Sequence, residues 1–221
     1  MTPVFVRKWS DFARRLDRAT ARGFSTFLSV VFVLQASRLG YVLIGGETRI
    51  VRILPDDAFY YFKLAQNFAA MGRWTFDGAS STTGFHLLWA YFLSAIFAVA
   101  PGIGITALFL IVFVVGWFCW VVAAGALARL VVDCYGPGAI LAVYAIFCGT
   151  SVFLLPSMGM EAAAAVMFSA LLSLLLLGHS FLPSGRSLTI LYLLGLGGML
   201  SRSDFGVVAF GILAARLVAG V

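Results

Sequence analysis

The 221-residue chain is 62% hydrophobic and only 11% charged, where ordinary soluble proteins carry about a quarter charged residues; a soluble globular domain is excluded. Its formal net charge of +6 does not indicate nucleic acid, because the basic excess is concentrated at one end. Apolar runs close to the roughly 20 residues that match a bilayer core predict an all-α fold, a polytopic transmembrane helical bundle.

The N-terminal segment, 1–22, carries Arg7, Lys8, Arg14, Arg15, Arg18 and Arg22 against Asp11 and Asp17. Basic residues beside a first span favour a cytoplasmic N-terminus. Phe5, Trp9, Phe12 and Leu16 recur at helical spacing, which suits either a helix lying on an anionic inner leaflet or a simple basic tail. The apolar stretch that follows lacks the small-residue cleavage site of a signal peptide. Residues 23–221 read as one transmembrane domain without internal repeats. A first span is expected near 24–44, with Arg38 about two turns from its outer end. From there it can snorkel or line a polar cavity.

Residues 45–84 form the one long polar segment, and a cytoplasmic N-terminus places them on the outer face. Pro55 stops any helix running out of the first span. The stretch AFYYFKLAQNFAAM (58–71) has helical periodicity. Tyr60, Leu64, Phe68 and Met71 make an apolar face, Lys63, Gln66, Asn67 and Ala70 make another, and Gly72 is the stop. The spacing predicts an amphipathic helix at the outer interface, with an irregular return over GRWTFDGASSTTG (72–84). Asp77 suits a turn cap there, and Trp74 and Trp89 suit an aromatic belt. Further apolar runs near 85–100, 105–127, 138–155, 160–178, 188–200 and 205–219 bring the expected total to six or seven spans, the last two divided by SRSD (201–204). Cys119, Cys134 and Cys148 have no metal-site spacing and read as small packing residues.

Asp56 and Asp57 are two of only nine acids. Helix capping accounts readily for one carboxylate and less readily for two that repel each other. A functional pair has two uses. A carboxylate can take the proton from a sugar hydroxyl, a poor nucleophile at neutral pH, and ionising one acid makes its neighbour harder to ionise. Paired oxygens also suit Mg²⁺ or Mn²⁺. Lys63 and Arg73, in the same loop, suit either a phosphate, whose developing charge a fixed cation stabilises, or lipid head groups and water. His86, at the start of the second apolar run, suits a hydrogen bond to sugar or phosphate, or plain solvent. Glu161, Arg202 and Asp204 interrupt apolar runs. A charge at the bilayer centre costs roughly 2.5–3.5 kcal/mol, so such residues usually face a cavity or a partner. The structural alternative is that Arg202 and Asp204 satisfy each other while Glu161 favours a helix start.

The stretch DDAFYYFKLAQNFAAMGRWTFDG…TTGFHLLW (56–89) resembles the first outer loop of the GT-C superfamily of membrane glycosyltransferases. That superfamily includes protein mannosyltransferases, aminoarabinose transferases and arabinofuranosyltransferases. SMGMEAAAAVMF (157–168) resembles its Gly-Met-Glu element opening a helix, and LLGLGGMLSRSDFGVVAF (193–210) its Arg-x-Asp turn. The resemblance implies transfer of a sugar from a polyprenyl-phosphate carrier to a glycan, lipid or protein acceptor at the plasma (inner) membrane, and alanine, glycine and an excess of arginine over lysine point to a GC-rich prokaryote. By position it makes Asp56 the general base and gives Asp57 the arrangement of acceptor or metal. Members of the group usually have more spans, and many end in a soluble outer domain. This chain is therefore expected to be an N-terminal portion served by a C-terminal partner half. The alternatives are a non-catalytic membrane subunit, an inactive fragment or a small transporter. A transporter should show paired interrupted helices, and the one interrupted region lies near 200.

Overall fold

The computed structural model describes residues 3–177 and 185–219, with side chains placed for most of 23–177 and 188–214. Every regular element among the described residues is helical, as the apolar periodicity requires. Helix α1, Pro3–Ile44, is continuous over 42 residues. The side chains of 1–22, on which the amphipathic stripe and the basic cluster depend, lie outside the described residues.

Two helices among the described residues are long and apolar enough to cross a membrane, Gly23–Ile44 within α1 and α5, Ile105–Tyr135. The other apolar helices among them run 10–17 residues. By length, two of the expected six or seven spans are matched among the described residues. The run near 85–100 is α4, Leu87–Val99, of 13 residues. At 1.5 Å per residue it is about 20 Å long, short of the roughly 30 Å hydrocarbon layer.

Between α1 and α4 the polar segment holds more helix than its sequence suggests. Gly46, at φ 61, turns the chain into α2, Gly46–Ile53, which ends where Pro55 denies the next backbone N–H. Helix α3, Asp56–Met71, follows at once and closes on Gly72 in the left-handed conformation, where a side chain would be strained. Its faces differ from the expected ones. Ala58, Tyr61, Phe62, Leu64, Ala65 and Asn67 are buried, while Met71 is exposed. Asn67 turns inward because its amide donates to the Thr75 and Phe76 carbonyls at 2.8 and 3.0 Å, which removes the cost of burying it. Helix α4 packs along α3.

The expected span 138–155 is broken. Helix α6, Ile140–Cys148, stops at Gly149, whose extended backbone (ψ 139) starts the short α7, Thr150–Leu154. A 3₁₀ turn at Leu155–Ser157 follows. This segment runs back along α5, and it comes so close that a Cβ on Gly116 would meet the Pro156 backbone at 2.8 Å. Trp120 donates from its indole to the Val152 carbonyl at 3.1 Å. Gln35 of α1 donates to the Phe153 carbonyl at 2.7 Å. These bonds tie the broken segment to α5 and α1, the Val152 carbonyl accepting the Leu155 N–H as well. Helices α8, Ala162–Leu177, α9, Gly185–Ser201, and α10, Phe205–Ala219, complete the bundle.

Candidate active site

The two acids sit inside α3, at its first two positions. Pro55 is the N-cap and no side chain caps the helix, so the capping role is not the one they play, although both suit the positive end of the helix dipole. Neither makes a hydrogen bond or ion pair among the described residues. Successive helical residues point about 100° apart, and the pair divides between two environments.

Asp56 lines an open groove of about 490 Å³ with Phe59, Tyr60, Lys63 and Gln66 of α3, Phe76 of the loop, and apolar residues from α4 and α5. Lys63 stands two turns after Asp56, on the same side of α3. One wall is aromatic: Tyr60 stacks on Phe76 with centroids 5.3 Å apart, and its hydroxyl is 2.9 Å from Thr82 Oγ1. Asp56, Lys63 and Gln66 are all exposed, and none has a polar partner among the described residues. The groove is thus mostly hydrocarbon, with a carboxylate, an ammonium and an amide unspent on its rim.

Behind α3 lies a polar cluster of a different kind. Glu161 is 1% exposed, and its Oε1 lies 3.4 Å from His86 Nε2 and 3.5 Å from Arg202 Nη1. Arg202 also grips Asp204 through Nε at 2.9 Å and Nη2 at 3.1 Å, the bidentate geometry in which guanidinium meets carboxylate most strongly. The exposed Asp204 carboxyl is consequently held below its ordinary acidity range, first by that hydrogen bond. Glu161 Oε2 is enclosed and has no hydrogen-bond partner.

Local sequence explains how these side chains converge. His86 is the N-cap residue of α4, with extended backbone, and its N–H donates to Tyr61 Oη at 3.0 Å. Glu161 stands just before α8, its carbonyl accepting the Ala165 N–H at 3.0 Å. Gly159 turns the chain into that position at φ 64, and a Cβ there would crowd Leu54, Ala58 and Phe62 at 3.0–3.4 Å. The glycine of the Gly-Met-Glu element is therefore required twice, by conformation and by space. Trp89 is buried rather than placed in an interfacial belt. Its indole donates to the Gly159 carbonyl at 3.1 Å and ties α4 to the turn. Arg202 and Asp204 occupy the turn between α9 and α10, where the Phe205 N–H donates to the Arg202 carbonyl.

Tyr61 joins the two environments. Burial pushes its phenol up to about 12, the His86 backbone bond opposes this, and the charges of Glu161 and Asp57 add to it. Asp57 stands one turn before Tyr61 on the same side of α3, while Asp56 lines the groove. Sequence reasoning missed Tyr61, which reads as one more aromatic of an amphipathic helix. Its only signal is its place on the face that carries Ala58 and Ala65.

Arg73 is exposed, lines neither the groove nor the cluster, and has no polar partner among the described residues. Asp77 caps its turn as expected, with Oδ1 accepting from the Ala79 and Ser80 N–H groups at 2.9 Å and from Thr75 Oγ1 at 3.0 Å. Those bonds lower its pKa. No group of three or more His, Cys, Asp or Glu residues among the described ones could hold a metal ion. Asp56 and Asp57 offer two carboxylates, a set that fits Mg²⁺ only in its usual mode, with water and substrate phosphate completing the shell.

The Cys119 thiol is buried while Cys134 and Cys148 are exposed, and all three are free, so only the first packs as expected. No protein family, curated protein or solved structure matches the chain.

Proposed function

We propose that the protein is an inverting membrane glycosyltransferase that takes a sugar from a polyprenyl-phosphate carrier and passes it to a hydroxyl acceptor at the outer face. The observation that carries this reading is the placement of Asp56, an unpaired carboxylate on the rim of an apolar groove that Lys63 also lines. A base, a cation for a leaving phosphate and a hydrocarbon surface for an isoprenoid chain then share one groove, and Arg202 and His86 stand at the cluster that Tyr61 of the same helix reaches.

In this mechanism Asp56 takes the proton of the acceptor hydroxyl as its oxygen attacks the anomeric carbon. The bond from that carbon to the phosphate oxygen breaks on the opposite side, and the phosphate leaves with the electron pair. Lys63 from the groove and Arg202 with His86 from the cluster stabilise the charge it acquires. A divalent ion held by Asp56 or Asp57, when bound, supplies further positive charge to that phosphate. Arg73, away from both, contacts lipid head groups.

The topology follows from the same reading. With the basic end of α1 cytoplasmic, the first span delivers α2, α3 and the short α4 to the outer surface of the plasma membrane. The cluster collects the starts of α4, α8 and α10 with the end of α9. This is the arrangement expected if α5, α6–α7, α8, α9 and α10 cross in alternating directions. The total is then six crossings, with α4 remaining beside α3.

The test is Asp56→Asn in membranes supplied with a polyprenyl-phosphate-linked sugar. Loss of a general base costs about 10²–10⁴-fold. Undiminished transfer rejects Asp56 as the base, and no transfer by the unmutated chain favours a non-catalytic subunit or fragment.

A further inference from the structure

Glu161 has no step in the mechanism above, yet it is the most enclosed acid among the described residues, and its surroundings say what it does. An acid that merely favours a helix start gains from the dipole at the surface and has no reason to be hidden. The Glu161 side chain is only 2% exposed, whereas the two side chains that share its Oε1 are more open, His86 at 23% and Arg202 at 39%. The acid lies behind, and the imidazole and guanidinium lie in front. A ligand arriving from outside meets the imidazole and the guanidinium before it meets the carboxylate.

His86 and Arg202 are also fixed from a second direction. Tyr61 Oη holds the His86 backbone, while Asp204 holds the Nε and Nη2 edge of Arg202. Glu161 supplies the remaining constraint on each, ring nitrogen and Nη1 respectively. It joins segments that are distant in sequence, the heads of α4 and α8 and the turn after α9. We propose that Glu161 is a positioning residue. It aims Arg202 and His86 at the phosphate of the donor without touching that phosphate itself. The proposal rests on the donor reading given above.

Electrostatics alone predicts the opposite effect of removing it. A carboxylate beside an anion site repels the anion, so Glu161→Gln should tighten phosphate binding if charge were all that mattered. A positioning role predicts weaker binding, because the guanidinium and the ring lose their common anchor. Removing partners that orient metal ligands typically costs about 10–100-fold in affinity, and about tenfold is expected here.

The experiment titrates the full-length protein in detergent micelles with farnesyl phosphate, using farnesol as the phosphate-free control. Unmutated protein should prefer the phosphate, Glu161→Gln should lose about tenfold, and Glu161→Asp should recover part of that loss. Arg202→Lys keeps the charge but not the planar fork; it should bind as weakly as Glu161→Gln, and it reads out the same orientation requirement should Glu161→Gln not fold. Equal or tighter binding by folded Glu161→Gln overturns the positioning role while leaving the donor reading intact. If Arg202→Lys is the variant that must be used, unchanged binding by it overturns the role in the same way. Failure of the unmutated protein to distinguish farnesyl phosphate from farnesol removes the donor reading, and the inference with it.

Discussion

The groove at Asp56 and the cluster at Glu161 lie on two sides of one helix and are built on opposite terms. In the groove Asp56, Lys63 and Gln66 are exposed and have no polar partner among the described residues. In the cluster Glu161, His86 and Tyr61 are committed to partners distant in sequence, and Arg202 to both Glu161 and its neighbour Asp204. The contrast separates polar groups left without a protein partner from polar groups that hold one another in place.

The sharpest way to break the contrast is at the groove. Asp56→Asn should remove about 10²–10⁴-fold of transfer activity and leave the thermal midpoint unchanged, because no contact is lost. A clear drop in midpoint would mean that Asp56 belongs with the structural residues. The cluster should behave in reverse under unfolding. Glu161→Leu deprives His86 and Arg202 of a shared partner, and a loss of about 1–3 kcal/mol is expected in denaturant titration. The low end of that range reflects Arg202's retained bond to Asp204. No loss would show that the cluster is not a structural unit.

Tyr61→Phe is a finer cut. It removes the acceptor of the His86 N–H at a buried position, and about 1 kcal/mol is expected, with little change in transfer. An effect as large as that of Asp56→Asn would place Tyr61 among the reacting groups. The smallest effect is one of pH. The phenol ionises at about 12 in the fold against an ordinary 10, so the folded state holds its proton more tightly than the unfolded chain. The contribution is complete below pH 10 and is lost as pH rises toward about 12. Unmutated protein should therefore lose more stability than Tyr61→Phe across that window. Parallel curves would refute the burial of the phenol.

How much of this was legible beforehand depends on the range of the interaction. Pro55, the periodicity of 58–71 and Gly72 mark α3 to the residue, because caps and breakers act locally. Its faces were misassigned because Asn67 finds backbone carbonyls across a loop, which no hydropathy pattern records. The run near 85–100 reads as a span because composition does not distinguish a membrane helix from one buried against a neighbour. The break at Gly149 was missed for a related reason, since one glycine in an apolar run is an ambiguous signal. Glu161 and Arg202 were singled out as isolated charges. That they meet each other and His86 is a product of packing, and nothing in the spacing of 86, 161 and 202 encodes it.

The close approach of Gly116 to Pro156 gives this architecture a further property. Pro156 stands one turn and a bend before Glu161, so a steric stop in the first half of α5 adds to the hold that Trp89 and the Gly159 turn have on the buried acid. If α5 tilts to match a thicker or thinner bilayer, that stop travels with it and shifts the acid that Arg202 and His86 share.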